Sequence, residues 1–96
     1  MMPPDQRIAH MESLLAAALA PLECKVEDES ALHAGHAGAA SGGGHYRLRL
    51  VSSRFEGQPR IARHRLVYDA LHDMMHDDIH ALAITALTPT EAGVAT

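Results

Sequence analysis

Between residues 5 and 20, Ile8, Met11, Leu15, Ala18 and Leu19 recur at helical spacing and predict one amphipathic helix. Asp5 follows two prolines and is placed to cap its start, and Pro21 to end it. The period then changes to two. In "LECKVED", Leu22, Cys24 and Val26 point one way while Glu23, Lys25 and Glu27 point the other, the pattern of a half-buried strand. "HYRLRLVSS" alternates again, with Tyr46, Leu48 and Leu50 directed at the core and His45, Arg47 and Arg49 at solvent. Together the two strands predict a hairpin with a long connection. "RFEGQP" carries turn signals, and Pro59 suits the first turn of a helix. Helical spacing resumes over residues 60–75 through Ile61, His64, Val67, Tyr68, Leu71 and Met75, with Arg65 and Asp69 paired at i, i+4 on the wet side. "IHALAITALT" predicts a last strand, with Leu82 and Ile84 inward on a parity that also contains His80. Residues 89–96 read as a flexible tail.

The order helix, strand, strand, helix, strand predicts an α+β fold: a three-stranded sheet with helices on one face. Residues 1–96 are expected to form one domain with its core in 5–88. The 47% apolar content suits a globular chain, but much of it is alanine, so the core must rest on few large side chains. A single cysteine, Cys24, excludes an internal disulfide and suits a reducing compartment. The N-terminus "MMPPDQR" lacks a basic region followed by an apolar run, and no stretch approaches the roughly 18–20 apolar residues of a membrane span. A soluble, cytoplasmic protein is expected, with no membrane partner.

The net charge of −4 argues against bulk affinity for nucleic acid, but the charges are unevenly placed. Six of the eight basic residues, Arg47, Arg49, Arg54, Arg60, Arg63 and Arg65, crowd into positions 47–65. That density predicts an interaction surface for a protein or for DNA, against the plainer reading of a solvated face.

The segment "ESALHAGHAGAASGGGHY" holds three of the eight histidines, His33, His36 and His45, with almost no large apolar side chain. It cannot be core, and residues 34–43 are expected to be its most mobile part. Either it is a solvated linker or its imidazoles ligate a metal such as zinc, iron or copper. His80 opens the last strand, where a side chain can reach solvent. His64, on an apolar stripe, reads as a hydrogen-bonded structural group. His10, His72 and His76 read as solvated helix residues; the last two, at i, i+4, have no evident third ligand.

Four blocks, "VEDESALH", "HYRLRLVSSRFEG", "RHRLVYDAL" and "IHALAITALTPTE", resemble the BolA family in order and spacing across roughly residues 5–90. The resemblance implies a class II KH-like, BolA-like fold. It also implies a monothiol glutaredoxin as partner, with a bridging 2Fe–2S cluster shared between the two chains and glutathione. Some bacterial members are described as transcriptional regulators. The family's C-terminal ligand histidine matches His80, and its variable loop ligand, cysteine or histidine, matches His33. His36 is an added histidine and an alternative to His33, with His45 ranking behind both. The helix that usually follows the last strand is mostly absent here.

The chemistry agrees with a shared cluster. A 2Fe–2S centre needs four ligands, usually thiolates, and one thiol cannot supply them. Imidazoles can serve one iron while a partner's sulfur serves the other, much as in a Rieske centre. No cluster is expected in the isolated chain, which should be a monomer or weak homodimer.

The rival function is a DNA-binding regulator using the Arg47–Arg65 cluster. Against it, "RFEGQPR" has only Gly57 where nucleic-acid-binding KH domains clamp the backbone with GXXG. Catalysis is not expected: Ser30 near His33 lacks a rigid base and an orienting group.

Overall fold

The computed structural model describes residues 2–33 and 42–94. Helix α1 spans Pro4–Leu19, strand β1 Glu23–Asp28 and strand β2 Gly44–Val51. Helices α2 (Arg60–Ala70) and α3 (His72–Met75) lead into strand β3, Ile79–Leu87. Single 3₁₀ turns at Ser30–His33 and Ser53–Phe55 follow β1 and β2. The sheet order is β1-β2-β3, with β1 antiparallel and β3 parallel to the central strand. The α+β class, the hairpin and the three-stranded sheet are as the periodicities predict.

α1 and α2 cover one face of the sheet. Met11, Leu15 and Leu19 of α1 meet Tyr46, Leu48 and Leu50 of β2, Val67 of α2, and Leu71, Met74 and Ile79, all nearly inaccessible to solvent. Phe55 is fully buried in that core, although its segment reads as a turn. Ser52 explains how a turn can hold a core residue. Its hydroxyl donates to the carbonyl of Leu19 (2.6 Å) and accepts from the backbone of Arg54, fixing the turn against the end of α1.

Several expectations need correction. α1 starts at Pro4, which needs no N–H partner at that position, so Asp5 lies in the first turn instead of capping it. β1 starts at Glu23, which leaves Leu22 exposed. The predicted single helix over 60–75 breaks at Leu71, whose ψ of 12° leaves the helical range. Its buried face carries Val67, Leu71 and Met74, whereas Ile61 is 71% and Tyr68 41% exposed. Arg65 and Asp69 are both exposed and form no ion pair among the described residues.

The predicted tail is held through Val94. Thr88 and Glu91 form a reciprocal capping box: the Thr88 N–H donates to Glu91 (2.8 Å), and the Glu91 N–H to the Thr88 hydroxyl (3.2 Å). Arg63 then pairs with the same carboxylate. These contacts hold the Glu91 carboxyl down at about 2, first through the guanidinium and then through the Thr88 N–H.

Phe55→Ala should lower the unfolding free energy by about 3–5 kcal/mol in urea titrations, because the closed turn cannot collapse into the void. Because folding depresses the Glu91 pKa, its contribution is present above the ordinary value of 4.5 and lost as pH falls towards about 2. Glu91→Gln should therefore flatten the stability profile in that acid window and leave its shape near neutrality unchanged.

Candidate metal centre

The face of the sheet turned away from the helices carries the candidate ligands. β2 and β3 run in register from Tyr46↔Leu82 to Val51↔Leu87, but Gly44 pairs with Ile79 while His45 pairs with Ala81. His80 is the extra residue between those pairs, a β-bulge in a parallel ladder. A bulge re-aims the side chain it inserts. Strict alternation from Leu82 and Ile84, which are half-buried under the helices, would send His80 inward with them. Instead it is exposed, and its ring lies 5.1 Å from that of His45, tilted by 47°.

His45 shares the outward parity of Arg47, yet it is 9% exposed rather than solvated. The connection after β1 folds back onto this strand start. The Glu29 N–H donates to the His45 carbonyl (2.8 Å), and the His45 N–H donates to the Ser30 hydroxyl (3.1 Å). The 3₁₀ turn that follows ends at His33, which brings that residue's backbone to the same end of the sheet. His36 lies outside the described residues, as does most of the segment expected to be mobile. A surface groove of about 490 Å³ adjoins the pair, lined by Glu29, Leu32, His45, Arg47, Ala81 and Ala83 among others.

The glycines before β2 are required by the site. Gly42 sits at a φ of 87°, where a side chain is strained. A Cβ on Gly43 would stand 2.9 Å from the Cβ of His80, and one on Gly44 would stand 2.5 Å from the ring of Tyr46. The backbone thus approaches His80 more closely than any residue but glycine allows. The sequence alone leaves this segment as either a solvated linker or a metal-ligating loop and assigns these glycines no packing contact. Three in succession at the start of a strand were the available signal.

The other candidates do not join this centre. His10 and His64 are half-buried, and His72 and His76 are exposed at α3 and its end. No group of three His, Cys, Asp or Glu able to hold a metal occurs among the described residues. Cys24 is half-buried against the core, and burial, aided by Glu12, pushes its thiol pKa up and disfavours the thiolate a metal needs. Among the described residues the donor set is two neighbouring imidazoles, too few to enclose a metal by themselves.

The six arginines do not form one patch. Arg47 and Arg49 stand on the open sheet face, paired with Glu29 (3.0 Å) and Glu23 (3.2 Å) of the β1 side. Arg54 donates to the Ala18 carbonyl at the end of α1, and Arg63 is held by Glu91. Arg60 and Arg65 make no ion pair among the described residues. They line a larger concavity of about 650 Å³ on α2 with Ile61, His64 and Tyr68, but this concavity contains no ligand set. The density in sequence is dispersed because a strand and a helix present their residues on different layers.

Gly43→Ala should displace His80 rather than simply weaken the fold. The imidazole resonances of His80 should move in a ¹H–¹⁵N spectrum while those of His64 stay in place. Unmoved His80 signals in the folded variant would show that the close approach is not needed.

The profile of the BolA-like protein family matches residues 15–91. The BolA domain of SufE1 from Arabidopsis thaliana superposes with a TM-score of 0.78 at 42% identity, covering 88% of this chain and 94% of that one. The Arabidopsis thaliana protein BOLA1, chloroplastic, is 38% identical over 91 residues, 92% of this chain and 57% of the relative. Of the SufE-like protein 1 of that organism the chain spans only 21%. The DNA-binding transcriptional regulator BolA of Escherichia coli (strain K12) is 38% identical over 81 residues, 84% of this chain and 74% of the relative. With this family profile over most of its length and these relatives, the chain belongs to the BolA-like family.

Proposed function

We propose that this protein is the partner of a monothiol glutaredoxin in iron–sulfur trafficking or iron-responsive regulation. The two chains share a bridging 2Fe–2S cluster with glutathione. On this reading His80 and one loop histidine, His33 or His36, are this chain's ligands. One observation carries it: the bulge that turns His80 from the helix side onto the open face beside His45. Bulges are over-represented next to active sites, where they re-aim a side chain, and this one re-aims an imidazole. When bound, such a centre supplies one-electron chemistry at a potential raised by imidazole ligation.

The chain's own contribution is presentation. His80 stands between two paired residues, Ile79 and Ala81, so its ring is offered from a strand start held on both sides of the bulge. The neighbouring groove, with exposed Leu32 and the small side chains of Ala81 and Ala83, leaves room for an approaching surface. No catalytic role belongs to this reading, and neither does a membrane, since no described helix is long and apolar enough to cross one. We place the protein in the cytoplasm, as a monomer or weak homodimer when alone, although two relatives carry chloroplastic or mitochondrial names.

DNA binding is the second reading, favoured by the name of the Escherichia coli relative. Here the neutralisation of Arg47, Arg49 and Arg63 by acids of the same chain leaves little unpaired positive charge for phosphates.

The test is reconstitution with a monothiol glutaredoxin, iron, sulfide and glutathione, followed by visible absorption and circular dichroism. His80→Ala should abolish the spectrum of the mixed complex. His33→Ala should be milder, and the double change of His33 and His36 should match the loss in the His80 variant. His10, His72 and His76 variants should behave as the parent. An unchanged spectrum in His80→Ala would overturn the reading. For DNA, affinity carried by phosphate contacts should fall steeply with salt, and the double change of Arg60 and Arg65 to alanine should flatten that slope. Tight, sequence-selective binding at physiological salt would favour the second reading.

A further inference from the structure

The side chain of Arg7 comes from an early turn of α1 and is buried, with 3% of the residue exposed. Its Nε donates to the Met2 carbonyl (3.2 Å) and its Nη2 to the Gly42 carbonyl (3.0 Å). Nε also lies 3.6 Å from Oδ1 of Asp78, which accepts the Met2 N–H at 2.7 Å. Burial pushes the Tyr46 phenol pKa up, and the nearby Arg7 guanidinium opposes that rise. Asp78 passes the connection on: its carbonyl accepts the Gly44 N–H (3.0 Å), and its own N–H donates to the Met74 carbonyl (3.0 Å).

One cation therefore touches the chain just before β2, at Gly42, and the residue just before β3, Asp78. Those two strands carry His45 and His80 at their starts, where the bulge interrupts the ladder and the Gly44 N–H to Asp78 carbonyl bond is the backbone tie beyond it. A buried ion pair is a weak source of stability, and an apolar side chain of similar volume often serves as well. What a guanidinium adds is direction, because its donors form a rigid planar fork.

We infer that Arg7 is a positioning residue for the histidine pair. By tying Gly42 to Asp78, it sets the offset of the two strand starts and hence the spacing of the His45 and His80 rings. Gly43 lies between the tied points and rests on His80, so a shift of either strand start is transmitted to that imidazole. The value of this spacing rests on His80 being a ligand, as proposed above. The geometric claim does not.

The experiment uses the chain alone. In the parent, ring protons of His45 and His80 should give a nuclear Overhauser effect, as expected for centroids 5.1 Å apart. Arg7→Met should abolish it and move both sets of ring resonances, while those of His64 and His72 stay in place. Arg7→Lys keeps the charge but not the fork, and should restore the effect only in part. Should Arg7→Met fail to fold, Asp78→Asn and Arg7→Lys decide: Asp78→Asn keeps an acceptor for Met2 but loses the charge, and should weaken the effect. A purely structural role would lower the unfolding midpoint and leave the folded state's ring signals unchanged. That result, or equal movement of His64, overturns the inference. If the rings separate in Arg7→Met while the mixed cluster spectrum survives, the positioning stands and the ligand reading fails.

Discussion

The parallel pairing of β2 with β3 is the constraint on which the rest of this small fold depends. An antiparallel pair closes through a short turn, but a parallel pair needs a crossover that carries the chain back along the sheet. α2 and α3 are that crossover. Their packing beside α1 gathers Tyr46, Leu48 and Leu50 on one side of β2 and leaves Arg47 and Arg49 on the other. Among the described residues no second layer covers that side, so its residues there are polar, small or paired with each other. The Arg47–Glu29 and Arg49–Glu23 pairs across to the β1 side meet that need, and so do the small side chains of Ala81 and Ala83.

Much of this was legible from period alone. Tyr46, Leu48 and Leu50 alternate without interruption, and their inward direction follows from that. What period could not convey was any point where the count slips. One inserted residue reverses the parity of everything on one side of it. His80 is that residue, so alternation read back from Leu82 assigned it to the wrong face. The resemblance of "IHAL" to a family motif named His80 as the ligand, but offered no reason for its exposure. Arg7 and Phe55 were illegible for another reason. Their burial depends on partners far away in sequence, at Gly42, Asp78 and Leu19, and no local pattern reports those meetings.

Charge shows the same gap between sequence and space. Six arginines within nineteen positions suggest a single basic surface. The strand sends Arg47 and Arg49 to one side of the sheet, and the helix carries Arg60, Arg63 and Arg65 on the other. Acids drawn from both ends of the chain then neutralise half of the six. Among the described residues Arg60 and Arg65 remain on α2 without an ion pair, a footprint far smaller than the composition suggests. Exposed ion pairs of this kind stabilise a fold by only about 0.2–1 kcal/mol each. Their larger effect here is to cancel the local field.

The three glycines that lead into β2, the last of them its first residue, bear on how this chain can be rebuilt. Residues 29–44 look like a stretch that a protein engineer would shorten, replace with a standard linker or use to graft a foreign binding loop. The left-handed Gly42, the contact of Gly43 with His80 and that of Gly44 with Tyr46 set a hard boundary on such editing. A serine or alanine linker carried through to position 44 would press on the imidazole and the phenol ring at once. Any exchange of this loop has to end at Ser41, and the last three residues of the apparent linker belong to the scaffold.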